Sequence, residues 1–73
     1  MTGNHNRIPR HWNRIECRAL FAGNAGIPGD VFEVTRGEYG NGHSGINRRT
    51  GQRFSFFMDH LRNGDLFEIL AIE

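Results

Sequence analysis

From Arg14 to Phe21 apolar and polar side chains alternate, with Ile15, Cys17, Ala19 and Phe21 on one face and Glu16 and Arg18 on the other. A period of two is the pattern of a half-buried strand. A helix, at 3.6 residues per turn, would scatter the same side chains around its axis. The alternation returns from Asp30 to Arg36, with Phe32 and Val34 inward and Glu33 and Thr35 outward. Between the two runs, AGNAGIPG supplies three Gly and a Pro and reads as a loop. The constraint this places on the fold is an antiparallel sheet built from short strands.

The rest of the chain is less regular. Residues 37–51 carry five of the ten glycines and read as a long loop or ragged hairpin. Residues 54–63 carry two competing signals. Phe54, Phe57, Met58 and Leu61 fit the stripe of a short helix, with Ser55 as its cap and Gly64 just past its end. Phe54, Phe56 and Met58 also alternate, and Asn63-Gly64 is a hairpin signal. The helix is the expectation. From Leu66 to Ile72 both faces are apolar apart from Glu68, which predicts a strand central in its sheet. The first dozen residues, MTGNHNRIPRHW, are polar except for Ile8 and Trp12 and read as a flexible arm, with Trp12 either a lid on the core or an exposed anchor.

At 73 residues with 37% hydrophobic side chains, six of them Phe, the chain supports one thin core and roughly a few kcal/mol of stability. TIM-barrel and complete dinucleotide-binding folds are excluded by size. The expected architecture is α+β: a small antiparallel β-sheet or SH3-like barrel of three to four strands, with one short helix. Residues 1–12 are the expected flexible arm and residues 13–73 a single small globular domain. A single cysteine, Cys17, allows no internal disulfide or cysteine-based metal cage and fits a reducing compartment. Neither a secretory leader nor an apolar run of the ~20 residues a membrane span needs is evident, so a cytoplasmic protein is expected.

All nine basic residues are Arg, and they are distributed in blocks. Residues 1–18 and 36–53 are basic, each with four Arg against one Glu, while 19–35 and 54–73 are acidic. Such a chain presents charged faces to a partner without the uniform basicity of a dedicated nucleic-acid binder. Gly40, Gly42 and Gly45 form a literal G-x-G-x-x-G, but INRRTGQRF after it shows no amphipathic helix to hold a pyrophosphate. The four histidines are not spaced as a zinc site, and Cys17 points inward on its strand, so no cofactor, metal or catalytic group is expected. Candidate partner contacts are the acidic strand residues Asp30 and Glu33, joined by Asp65 and Glu68. To these are added Arg7, Arg10 and Trp12 of the arm, and Arg48 and Arg49 beside the glycine-rich stretch.

Taken over its full length, with its arm and first strand MTGNHNRIPRHWNRIECRALF and its glycine-rich middle, the chain resembles the small RNA polymerase-binding transcription regulators of Xanthomonas phages. The resemblance implies a non-enzymatic, monomeric protein of the host cytoplasm. It implies binding to the host polymerase at the N-terminal region of β′ and at β, displacement of the σ factor to block initiation, and antitermination. It assigns no residue. Two other classes stay open. A small nucleic-acid-binding barrel would use Arg36, Arg48, Arg49 and Arg53 with an exposed Phe or Tyr39. A phage structural joining module would self-associate.

Overall fold

The computed structural model describes residues 5–37 and 42–73. Five strands, β1 (Arg14–Ala19), β2 (Val31–Thr35), β3 (Gly42–Asn47), β4 (Arg53–Phe57) and β5 (Phe67–Ile72), and one helix, α1 (Met58–Arg62), make up a small α+β domain. The strands form one antiparallel sheet in the order β4-β3-β2-β1-β5. The described residues therefore contain five strands, against the three to four expected.

β1 and β2 lie where their alternation places them, paired from Arg14 with Thr35 to Arg18 with Val31. β3 is the strand the glycine-rich stretch concealed. Its inward positions are His43, Gly45 and Asn47, none of them an aliphatic or aromatic hydrocarbon side chain, so no apolar period marks it. Gly45 is required by packing: a Cβ there would overlap the ring of Phe56.

Each signal in residues 54–63 is realised in part, and Asn63-Gly64 joins α1 to β5 and not two paired strands. The alternation belongs to β4, and the helix begins only at Met58. Ser55 is a strand residue and caps nothing. The N-cap is Phe57, in extended conformation and without a side-chain cap. β5 is an edge strand, not a central one. Its apolar content misled because half of it faces outward: Leu70 is exposed and falls at a register shift, where Glu16 pairs with Ala71 and Cys17 with Ile69.

The core comprises Trp12, Ile15, Cys17, Ala19, Phe32, Val34, Phe56, Leu61 and Phe67. Phe32 on central β2 meets Phe54, Phe56 and Phe67 edge-on, with centroids 5.3–6.2 Å apart. Phe56 on β4 lies 5.5 Å from Phe67 on β5. These two strands are at opposite ends of the strand order, so the sheet rolls until its edges approach. The space between them is plugged by α1 through the fully buried Leu61.

Residues 5–12 are not a free arm. The Asn6 backbone N–H donates to the Arg62 carbonyl at 2.8 Å, and Asn6 Nδ2 donates to the carbonyls of Leu61 and Phe67, each at 2.9 Å. Ile8 packs on the core and Trp12 is buried in it. Polar composition suggested mobility because the attachment is made by one Asn and one Trp, not by an apolar period. Residues 1–4 of the expected arm lie outside the described residues.

Candidate partner-binding surfaces

The residues expected as partner contacts do not form one surface. Asp30, at the entry to β2, is only 5% exposed. Its Oδ1 accepts from Arg49 Nε at 2.7 Å, and its Oδ2 accepts from Arg49 Nη2, Asn47 Nδ2 and the Ile27 backbone N–H, each at 3.0 Å. The Arg49 fork, then Asn47 and the Ile27 amide, hold this carboxyl well below the usual carboxylate range, against the opposing effect of burial. Asn47 continues the network, donating to the Ala25 carbonyl at 3.0 Å and accepting from the Arg49 and Thr50 amides through Oδ1. Gly26 lies so close that a Cβ would overlap Asp30 Oδ2. Asp30 and Arg49 thus tie the β1–β2 loop to the β3–β4 turn. They do not form a receptive acidic surface, because an acidic residue beside a Pro-Gly loop reads alike in sequence whether it faces solvent or folds back.

Glu33 belongs to a different environment, an outer face of charged side chains. The register sets Glu33 directly opposite Glu16, a like-charge pair that is unfavourable alone. Arg48 spans them, its Nη1 on Glu16 and its Nη2 on Glu33 at 2.8 Å. Arg14 lies 3.5 Å from Glu33 and pairs with Glu73 at 2.9 Å, and Arg18 pairs with Glu68 at 2.8 Å. The Arg48 hydrogen bond first, and Arg14 second, lower the Glu33 carboxyl. Water screens such exposed pairs, so their main effect is to fix where charge sits. Arg14, Glu16, Glu33, Arg48, Ala71 and Glu73 together surround a shallow concavity of about 80 Å³.

The remaining candidates separate. Arg7 and Arg10 are exposed. Trp12 is a lid and not an anchor: it is buried and packs edge-on against His43 at 4.9 Å. His43 Nδ1 accepts the Gly37 amide at 2.9 Å, and burial, followed by Arg36, pushes its imidazole below its ordinary value, towards the neutral form. Arg36 Nη1 donates to the Trp12 carbonyl at 3.2 Å. Cys17 is buried in β1, and burial pushes its thiol up to about 12. Tyr39 and Gly40, and with them the first glycine of the G-x-G-x-x-G, lie outside the described residues. Gly42 and Gly45 are in β3.

A further environment is lined by none of the residues expected as partner contacts. A groove of about 400 Å³ runs between β4 on one side and the β1–β2 loop on the other. Phe54, Phe56, Leu66 and Phe67 lie along it, Phe21 and Ala25 form the opposite wall, and His60 of α1 stands at one end. This is the seam where the rolled sheet fails to close. Its one sequence signal was the period of two in Arg53–Phe57, which identifies a strand but not that the strand is an edge. No protein-family model, curated protein or solved structure matches the chain.

Proposed function

We propose that the chain is a non-enzymatic phage regulator that acts in the host cytoplasm on the bacterial RNA polymerase. In this reading it binds the N-terminal region of β′ and the β subunit, displaces the σ factor to inhibit initiation, and acts as an antiterminator. We also read the fold as an SH3-like barrel, a reading supported by the order β4-β3-β2-β1-β5 with a short helix just before the last strand. The observation that carries the functional reading is the presence of two surfaces of different chemistry on one 34 × 28 × 20 Å body, sharing no residue. One is the charged face around Glu33 and Arg48. The other is the apolar seam beside β4. Two modest contacts on one rigid body reinforce each other through effective concentration, which lets a small protein compete with a large σ factor.

The inert character of Cys17 favours a binding role over a catalytic one. Phosphate gripping is less favoured, because Arg48 and Arg49 already direct their guanidinium groups to carboxylates and Arg36 to a carbonyl.

Gel filtration with Xanthomonas RNA polymerase holoenzyme tests the reading. Co-elution of the small protein, with σ lost once promoter DNA is added, is the expected result, and elution as a separate species discards it. Glu33→Arg is expected to weaken this binding roughly tenfold, since it turns one of the two carboxylates that Arg48 spans into a like charge. Asp30 is unsuited to that substitution, being buried.

A further inference from the structure

β4 borders the seam with its outer edge. The Asn47 amide donates to the Gln52 carbonyl at 2.9 Å, so the hydrogen-bonded pairs of this hairpin continue at Gly45 with Phe54 and at His43 with Phe56. The amides of Arg53, Ser55 and Phe57 therefore point away from β3. β4 is the last strand of the sheet on that side, and no backbone group among the described residues meets those three amides. An unpaired strand edge beside an apolar groove is a template for one more strand.

Charge selects among occupants. Of the described acids, Glu16, Asp30, Glu33, Glu68 and Glu73 each have an arginine partner. Asp59 and Asp65 have none among the described residues, and both are exposed. They precede in sequence His60 and Leu66, which line the seam, although neither acid lines it itself. Arg62 lies three residues beyond Asp59, at a neighbouring position on the helix surface, but makes no ion pair with it among the described residues, and the acids still outnumber it two to one there. Arg53 marks the other end of β4. A second copy of the chain is a poor fit, since its own β4 carries β3 on one edge and the Phe21–Ala25 wall stands where that β3 would lie.

We infer that the seam receives one extended segment of a partner protein, which adds as a strand to the outer edge of β4. Its alternate apolar side chains rest on Phe54, Phe56 and Phe67, and a basic residue lies at the α1 end beside Asp59 and Asp65. The inference rests on the polymerase reading only for the identity of the partner. The recognition chemistry is that of any basic-ended, alternating apolar segment.

The test separates the two. Random decapeptides displayed on phage are selected on the full chain and then assayed against Ser55→Pro and against Asp59→Arg/Asp65→Arg. Proline at Ser55 removes an outward amide and no ladder bond, so the variant is expected to keep the wild-type circular dichroism spectrum. The expected binders alternate apolar residues and carry Lys or Arg at one end. They lose at least tenfold affinity on Ser55→Pro and several-fold on the charge reversal, and in the wild-type chain they slow hydrogen exchange at Arg53, Ser55 and Phe57. No enriched sequence, binders indifferent to Ser55→Pro, or exchange unchanged at those three amides overturns the inference, whatever the polymerase experiment gives. If Ser55→Pro unfolds, the exchange measurement on the wild type decides alone. Binders that protect these amides while the chain fails to bind polymerase would uphold the seam and discard the partner.

Discussion

The Asp30 carboxylate is the meeting point of a guanidinium, an amide side chain and a backbone N–H. Its carboxyl is held below the unfolded value, so the network stabilises the fold fully above the ordinary carboxylate range. That stability is lost as the pH falls below about 4 toward the folded value. Glu33 is shifted in the same direction and adds to the loss. Thermal melts from pH 7 down to pH 2 should show the wild-type Tm dropping through this window. Asp30→Asn should melt lower at pH 7 and lose less on acidification. A variant whose Tm follows the wild type in parallel at every pH would show that the carboxylate is not the group responsible.

At the level of elements, legibility followed apolar periodicity and failed wherever another device replaced it. β1 and β2 were readable because each inward position is an apolar residue. β3 was not, because three kinds of packing take the place of hydrocarbon: His43 lies against Trp12, Gly45 makes room for the Phe56 ring, and Asn47 joins the Asp30 network. The apolar run of β5 marks a strand but not its place at an edge, since periodicity reports which side chains are apolar and not which neighbours a strand has. The charged face was half visible, through Glu33 and Arg48, while the seam was invisible because it depends on which strands end at an edge. Gly45 offers the sharpest check. Gly45→Val should destabilise by about 1–3 kcal/mol through overpacking against Phe56, despite the higher strand preference of Val. Urea denaturation gives the value, and a neutral or stabilising result would mean that the ring has another place to go.

For the whole molecule the relevant unit is the core that all elements share. Trp12 brings the N-terminal segment into it, Leu61 the helix, and Phe56 and Phe67 the two edge strands. A domain of this size with one core should unfold in a single step. Trp12, the only tryptophan, makes that testable. Its fluorescence should shift to longer wavelength with the same midpoint as the loss of far-UV circular dichroism. A fluorescence midpoint well ahead of the other would mean that residues 5–12 detach before the sheet melts. Trp12→Ala should cost about 3–5 kcal/mol, enough to leave little of a small domain's stability.

The pairing of β1 with β5 sets Arg14 beside Glu73, joined by Arg14 Nη2, which donates to both Glu73 carboxylate oxygens at 2.9 Å, and by backbone bonds from Asn13 and Arg14 to Glu73. Residues distant along the chain thus leave the sheet side by side, at the same end of two antiparallel strands. A pull applied at Asn13 and Glu73 loads the hydrogen bonds of that ladder one after another, as in opening a zipper. A pull at Arg14 and Phe67 loads them all at once, in shear. The same ladder should therefore yield at low force in the first direction and resist in the second.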